Sequence, residues 1–141
     1  MKSTEDLVRS LRERLEPESD IQFAYLFGSS ARGSDGPLSD VDIAVMVVDG
    51  KDLPKRHLDL IASVAGVVGS ERTDVVILNT APPVLGYRVL REGVLLFSRD
   101  EPARIEHWVR TVDRYLDMEP FRRTLAEGLK HRLEEGRFGR S

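Results

Sequence analysis

Residues 21–48 read IQFAYLFGSSARGSDGPLSDVDIAVMVV and hold two strand-forming stretches separated by a polar loop. Residues 21–27 are rich in aromatic and branched side chains, which favour a β-strand. Residues 28–37 are turn formers. Residues 41–48 are mostly apolar, which is typical of a strand buried on both faces of a sheet. The sequence therefore predicts two central strands joined by a loop.

Helices and further strands surround this pair along the chain. Apolar residues at helical spacing predict helices from Ser3 or Thr4 to Pro17, from Leu53 to Val68, from Pro83 to Gly93 and from Pro102 to Glu135. We expect Pro120 to interrupt the last one, giving two C-terminal helices that could pack as a hairpin. Short strands are predicted at Asp74–Leu78 and, at an edge, Val94–Phe97.

This order of elements indicates an α/β or α+β layered domain. We expect residues 1–100 to form the core, with residues 101–141 as a C-terminal helical extension packed on the same domain. The 141 residues suit one domain, and a net charge of −3 gives no reason to expect direct nucleic-acid binding. The chain contains no cysteine, no signal peptide and no apolar run that could span a bilayer, so we expect a cytoplasmic protein away from membranes.

Two aspartates suggest a metal site at the start of the second strand. Asp40 and Asp42 are two residues apart, so both carboxylates leave the same face of the strand. They repel each other unless a cation or a proton lies between them, and Mg²⁺ prefers such oxygen ligands. Asp74 opens the third predicted strand. If that strand lies beside the second, three carboxylates could hold two metal ions.

The loop before these aspartates begins with a candidate phosphate site. Gly28 lets backbone approach a bulky anion because it has no Cβ, and the N–H groups of such a turn favour phosphate. The Ser29 hydroxyl can add a hydrogen bond. Arg32 could contact phosphate, brace the carboxylates or form a surface salt bridge. Taken alone, each of these patterns is ordinary turn chemistry; their order and spacing make the combination specific.

This combination resembles the signature of the minimal nucleotidyltransferases of the polymerase-β-like superfamily. The matching segments are LFGSSARG at residues 26–33 and LSDVDIAV at residues 38–45, with ten residues between Ser29 and Asp40. TDVV at residues 73–76 resembles the segment that bears the third carboxylate of the family. Position 30, often basic in relatives, is serine here. The resemblance implies a palm-type mixed sheet flanked by helices.

The resemblance also implies a function. Small single-domain members are similar to the antitoxin half of HEPN/MNT pairs, which implies Mg²⁺-dependent transfer of AMP from ATP to a tyrosine of a HEPN ribonuclease toxin. The expected catalytic residues and metal ligands are Asp40, Asp42 and Asp74, with two Mg²⁺ ions. The expected nucleotide-binding residues are Gly28, Ser29, Arg32 and Ser39. Two alternatives stay open: a small-molecule acceptor such as an aminoglycoside, and an antitoxin that only binds and occludes its toxin.

Side chains elsewhere have plainer interpretations. We expect His57, His107 and His131 to be surface residues of helices, because no spacing among them suggests a metal site. An apolar stripe in the C-terminal segment is expected to pack against the sheet, with a partner-binding helix as the alternative. Its members are Trp108, Tyr115, Leu116 and Phe121.

Overall fold

A four-stranded mixed sheet lies at the centre of the computed structural model, which describes residues 3–28, 41–69 and 73–134. The strands are β1 (Ile21–Phe27), β2 (Val41–Val47), β3 (Thr73–Ile77) and β4 (Val94–Ser98). The helices are α1 (Thr4–Leu15), α2 (Leu53–Val68), α3 (Pro83–Glu92) and α4 (Glu101–Glu134), and a 3₁₀ turn spans Leu78–Thr80. The predicted layered fold with two central strands is confirmed.

The strand order is β3-β2-β1-β4. Strand β1 pairs antiparallel with both β2 and β4, whereas β2 and β3 are parallel. The parallel pair needs a crossover, which α2 supplies. The prediction that β4 is an edge strand is confirmed. Strand β3 lies beside β2, which meets the condition under which the third aspartate could join the first two.

Helices cover both faces of the sheet. Residues that alternate along β2 separate into two layers, with Ile43 and Val45 on the face covered by α1 and α2, and Ala44 and Met46 on the opposite face. Side chains of α3 and the start of α4 cover that second face. Because both faces are buried, β2 is apolar at every position except Asp42, as its composition predicts.

Helix α4 is continuous through Pro120, so the predicted interruption and helical hairpin are wrong. Proline removes one backbone donor and strains the preceding turn, but a long helix can absorb this as a local bend. The Thr124 hydroxyl donates to the Pro120 carbonyl at 2.9 Å. This bond lies one turn beyond the proline and adds a contact within the helix there.

The start of α4 lies against β1 and α3. The His107 ring lies 5.5 Å from the Phe23 ring, centroid to centroid, and its Nε2 is 3.2 Å from the Thr111 hydroxyl. The Tyr115 ring stacks on Tyr87 of α3, with centroids 3.9 Å apart and planes 4° from parallel. His107 is therefore half-buried, and its prediction as a surface residue is wrong.

Other members of the apolar stripe face away from the sheet. Trp108 is 50% exposed and Leu116 is 57% exposed, so the expected packing of these two side chains against the sheet is wrong. They share an outward face with Ile105 and Val109, which are also exposed. Tyr115 contacts α3 instead, and the side chain of Phe121 lies outside the described residues.

No described helix combines the length and the apolar character needed to cross a bilayer.

The environment of His107 predicts a pH dependence of stability. Burial, together with the nearby Arg110 and Arg114 guanidinium groups, lowers the pKa of His107 below its ordinary value of 6.5. The unfolded chain therefore binds a proton at a higher pH than the folded chain does. The contribution of neutral His107 to stability is complete above about pH 6.5 and is lost as the pH falls below it.

We expect the wild type to lose more free energy of unfolding between pH 7.5 and pH 5 than the His107→Gln variant, measured by urea denaturation. His131→Gln, at an exposed position of the same helix, is the matched control and should follow the wild type. Equal losses in the wild type and His107→Gln would contradict this assignment.

Candidate active site

The sheet register brings two of the predicted aspartates together. Asp42 of β2 lies directly opposite Asp74 of β3 in the parallel pair. On its other side, Asp42 lies opposite Phe27 of β1. The three residues form one row across three strands, and neighbouring strands lie about 4.8 Å apart. Their side chains leave the same face of the sheet, because they occupy equivalent positions of the alternating pattern.

Glycine is required immediately after this row. Gly28 has a φ of 82°, a left-handed conformation that residues with a Cβ rarely adopt. A Cβ built on Gly28 would also overlap the Asp42 carboxylate. Gly28 therefore lies directly against the Asp42 side chain, and the first residue of the predicted phosphate loop touches the predicted metal site.

The two carboxylates differ in their exposure. Asp42 is half-buried and Asp74 is exposed, whereas Val41, Ile43 and Val75 beside them in the strands are buried. The row lies at the end of the sheet, where β2 and β3 begin. A ligand can approach both carboxylates from solvent, while the apolar neighbours hold the two strands in register.

The chemistry of this pair suits a divalent cation. Asp42 and Asp74 offer only oxygen ligands, and Mg²⁺ commonly takes one or two carboxylates and completes its shell with water and phosphate oxygens. Ser29, Arg32, Ser39 and Asp40 lie outside the described residues. Within residues 3–28, 41–69 and 73–134, no group of three or more acidic, histidine or cysteine side chains is arranged to hold a metal ion. The three-carboxylate site stays a prediction.

Sequence reasoning missed a cation beside this row. The Arg88 guanidinium of α3 lies over the Phe27 ring, with its Cζ 5.7 Å from the centroid. Its Nε donates to the Glu92 carboxylate at 2.7 Å. In the sequence, this pair is an ordinary (i, i+4) ion pair on a helix. Only the packing of α3 on the sheet shows that the arginine lies next to Phe27.

The other two histidines differ in their surroundings. His57 is half-buried on α2, and its Nε2 is 2.5 Å from the carbonyl oxygen of Val75, so it joins α2 to β3 and its prediction as a surface residue is wrong. His131 is exposed on α4, as expected.

Comparison with known proteins agrees with this geometry. The family described as polymerase beta, nucleotidyltransferase matches residues 9–102, which include the whole sheet, α2, α3 and most of α1. The chain belongs to this family. It is a nucleotidyltransferase, and the row of Asp42 and Asp74 lies within the matched region.

Individual relatives are similar over most of their length. The chain is 28% identical over 121 residues to protein adenylyltransferase MntA of Shewanella oneidensis, covering 86% of this chain and 83% of the relative. A crystal structure of a toxin–antitoxin with AMP-PNP superposes with a TM-score of 0.75 at 26% identity, covering 87% of this chain and 98% of the other. The tri-AMPylated Shewanella oneidensis HEPN toxin in complex with MNT antitoxin includes a chain with a TM-score of 0.72 at 23% identity, covering 90% and 98%, which shows the shared fold.

Gly28 offers a test of the close approach between the turn and Asp42. In Gly28→Ala, the left-handed backbone costs about 1–2 kcal/mol of stability, and the new methyl displaces the Asp42 carboxylate. We expect lower stability in urea denaturation and a loss of nucleotide binding by calorimetry.

Gly50→Ala separates these two effects. Gly50 has a φ of 88°, but a Cβ there would meet nothing within 4 Å. This control should lose similar stability and keep nucleotide binding. If both variants bind nucleotide equally well, the contact between Gly28 and Asp42 has no role in the site.

Proposed function

We propose that this nucleotidyltransferase transfers AMP from ATP to a tyrosine of a cognate HEPN toxin and acts as its antitoxin. The observation that carries the proposal is the pairing of Asp42 with Asp74 beside Gly28, at an accessible end of the sheet. The similarity to MntA, a protein adenylyltransferase, supports AMP as the transferred group. The similarity to a toxin–antitoxin structure with AMP-PNP supports ATP as the donor and a toxin as the partner.

In the proposed site, a few residues hold the metal ions and the triphosphate. Asp40 and Asp42 would hold two Mg²⁺ ions, with Asp74 completing the ligand set. Bound Mg²⁺ would neutralise charge on the triphosphate and polarise the oxygens attached to it. Gly28 and Ser29 would hold the triphosphate through the turn, with Arg32 and Ser39 as further contacts.

The proposed reaction is a displacement at the α-phosphorus of ATP. The tyrosine oxygen attacks the α-phosphorus of ATP, a new P–O bond forms, and the bond to pyrophosphate breaks. Asp74 lies on the exposed side of the row, so its carboxylate would orient the acceptor hydroxyl and take its proton. Pyrophosphate leaves with the electron pair of the broken bond.

A protein acceptor suits the surface of the molecule. Ile105, Trp108, Val109 and Leu116 each expose about half of an apolar side chain on the outward face of α4. Apolar side chains grouped on one helix face are typical of a protein-binding surface. This observation favours a macromolecular acceptor over a small molecule such as an aminoglycoside. The same apolar surface supports a second candidate function, inhibition of the toxin by binding alone.

Transfer of label tests the catalytic proposal. The protein is incubated with labelled ATP, Mg²⁺ and the proposed cognate HEPN toxin, and the labelled residue is mapped by mass spectrometry. We expect label on a toxin tyrosine. Asp42→Asn and Asp74→Asn should each lower the transfer rate by about 100-fold or more, because each removes a carboxylate from the row.

Asp49→Asn is the matched control, since Asp49 is exposed in the turn beyond the opposite end of β2. It should transfer AMP at the wild-type rate. If the toxin is inhibited without becoming labelled, and Asp42→Asn inhibits it equally well, then the antitoxin acts by occlusion and not by catalysis. Label on a small molecule in place of the toxin would support the other alternative.

The exposed face of α4 gives a separate prediction about the partner. The double change Trp108→Ser and Leu116→Ser removes about half of the apolar surface described above and should weaken toxin binding by at least about tenfold. Leu58→Ser is the control, because Leu58 is 69% exposed on α2. Equal toxin affinity in all three proteins, measured by calorimetry, would exclude this face of α4 from the interface.

A further inference from the structure

We propose that Arg88 is a nucleotide-binding residue that contacts phosphate oxygens of the bound triphosphate. The proposal rests on the proposed function for the identity of the nucleotide. It starts from the position of the guanidinium, which lies over Phe27, the immediate neighbour of Asp42 in the row that crosses the sheet.

The distance between Arg88 and the row is short enough for a shared ligand. The Arg88 Cζ is 5.7 Å from the Phe27 ring centroid, and Phe27 is directly opposite Asp42 in the antiparallel pair. Opposite side chains in such a pair have Cβ atoms about 5 Å apart. Arg88 and Asp42 are thus both direct neighbours of Phe27, and an extended ligand such as a nucleoside triphosphate that is held at the carboxylates would have a further part near Arg88.

The orientation of the guanidinium fits an anion. The Nε–H of Arg88 donates to Glu92 at 2.7 Å, so the Nη groups form the free end of the planar fork. An arginine fork offers parallel donors that match two oxygens of one phosphate. The Arg88 side chain is 48% exposed, whereas that of Glu92 is 13% exposed. Glu92 thus holds the inner edge of the guanidinium while its outer part stays accessible.

The negative charge of the site also favours a cationic side chain such as that of Arg88. Asp42 and Asp74 place two negative charges in the row, and a triphosphate adds several more. Metal ions offset part of this charge, but phosphate oxygens that are not metal ligands still need donors. Arg88 comes from α3 and lies over Phe27 of β1, on the side of Asp42 away from β3, so it would meet phosphate oxygens on that side of the row.

Helix geometry supplies a matched control. Arg91 is also exposed on α3, but a step of three residues rotates its side chain by about 60° from that of Arg88. Val89, Leu85 and Leu90 mark the face of α3 that packs on the sheet. Arg88 lies beside Leu85 at the margin of that face, and Arg91 points further towards solvent. Replacing either arginine by glutamine makes the same change in net charge on the same helix.

The test measures nucleotide binding without the acceptor protein. Titration calorimetry with AMP-PNP and Mg²⁺ gives the dissociation constant of the wild type, Arg88→Gln, Arg88→Lys and Arg91→Gln, after thermal unfolding shows that all four fold. We expect Arg88→Gln to weaken binding by about tenfold or more. Arg88→Lys should recover part of this loss, since it keeps the charge but not the fork, and Arg91→Gln should bind within about twofold of the wild type.

A second measurement separates this proposal from the proposed function. With toxin as acceptor, Arg88→Gln should raise KM for ATP more than it lowers kcat. If Arg88→Gln binds AMP-PNP as tightly as the wild type, Arg88 serves only in the ion pair with Glu92 and the proposal is wrong. If the wild type binds AMP-PNP but labels no toxin, the proposed acceptor is wrong while the role of Arg88 is still decided by the binding series.

Discussion

The register of β2 between β1 and β3 is the constraint on which the rest of the site depends. Side chains alternate along a strand, so a shift of one residue would turn Asp42 towards the layer covered by α1 and α2 and would expose Ile43 or Val41. The apolar residues of β2 are packed on both faces, which makes such a shift very costly. The core therefore fixes which aspartate faces Asp74, and the same packing that stabilises the fold aligns the carboxylates.

Much of this arrangement could be predicted from local sequence. The apolar run of β2, the aromatic run of β1 and the helical spacing of α2 each carry a strong periodic or compositional signal. The sequence placed Asp74 at the site only on the condition that β3 lies beside β2, and the sheet meets this condition. A parallel neighbour places equivalent strand starts at the same end of the sheet.

Other features could not be predicted, because they depend on how distant segments pack. Arg88 with Glu92 is an ordinary helical pair until α3 is placed over Phe27. The orientation of Trp108 depends on which face of α4 meets α3. The spacing of apolar residues along α4 is compatible with either of two faces packing inward. The sequence predicts a break at Pro120 because proline disfavours helix interiors on average, but that local cost does not end a helix of 34 residues.

The length of α4 has a consequence for local stability. At 1.5 Å per residue, its 34 residues form a rod about 51 Å long, but the described side chains beyond Met118 are exposed. Among the residues that the structure describes, no other element buries these side chains, and the segment contains both Pro120 and Gly128, two poor helix formers. We therefore expect its backbone hydrogen bonds to open without disturbing the sheet, and its amide protons to exchange with solvent before those of β1 and β2. On this reasoning, local unfolding of the outer half of α4 leaves the row of Asp42 and Asp74 in place.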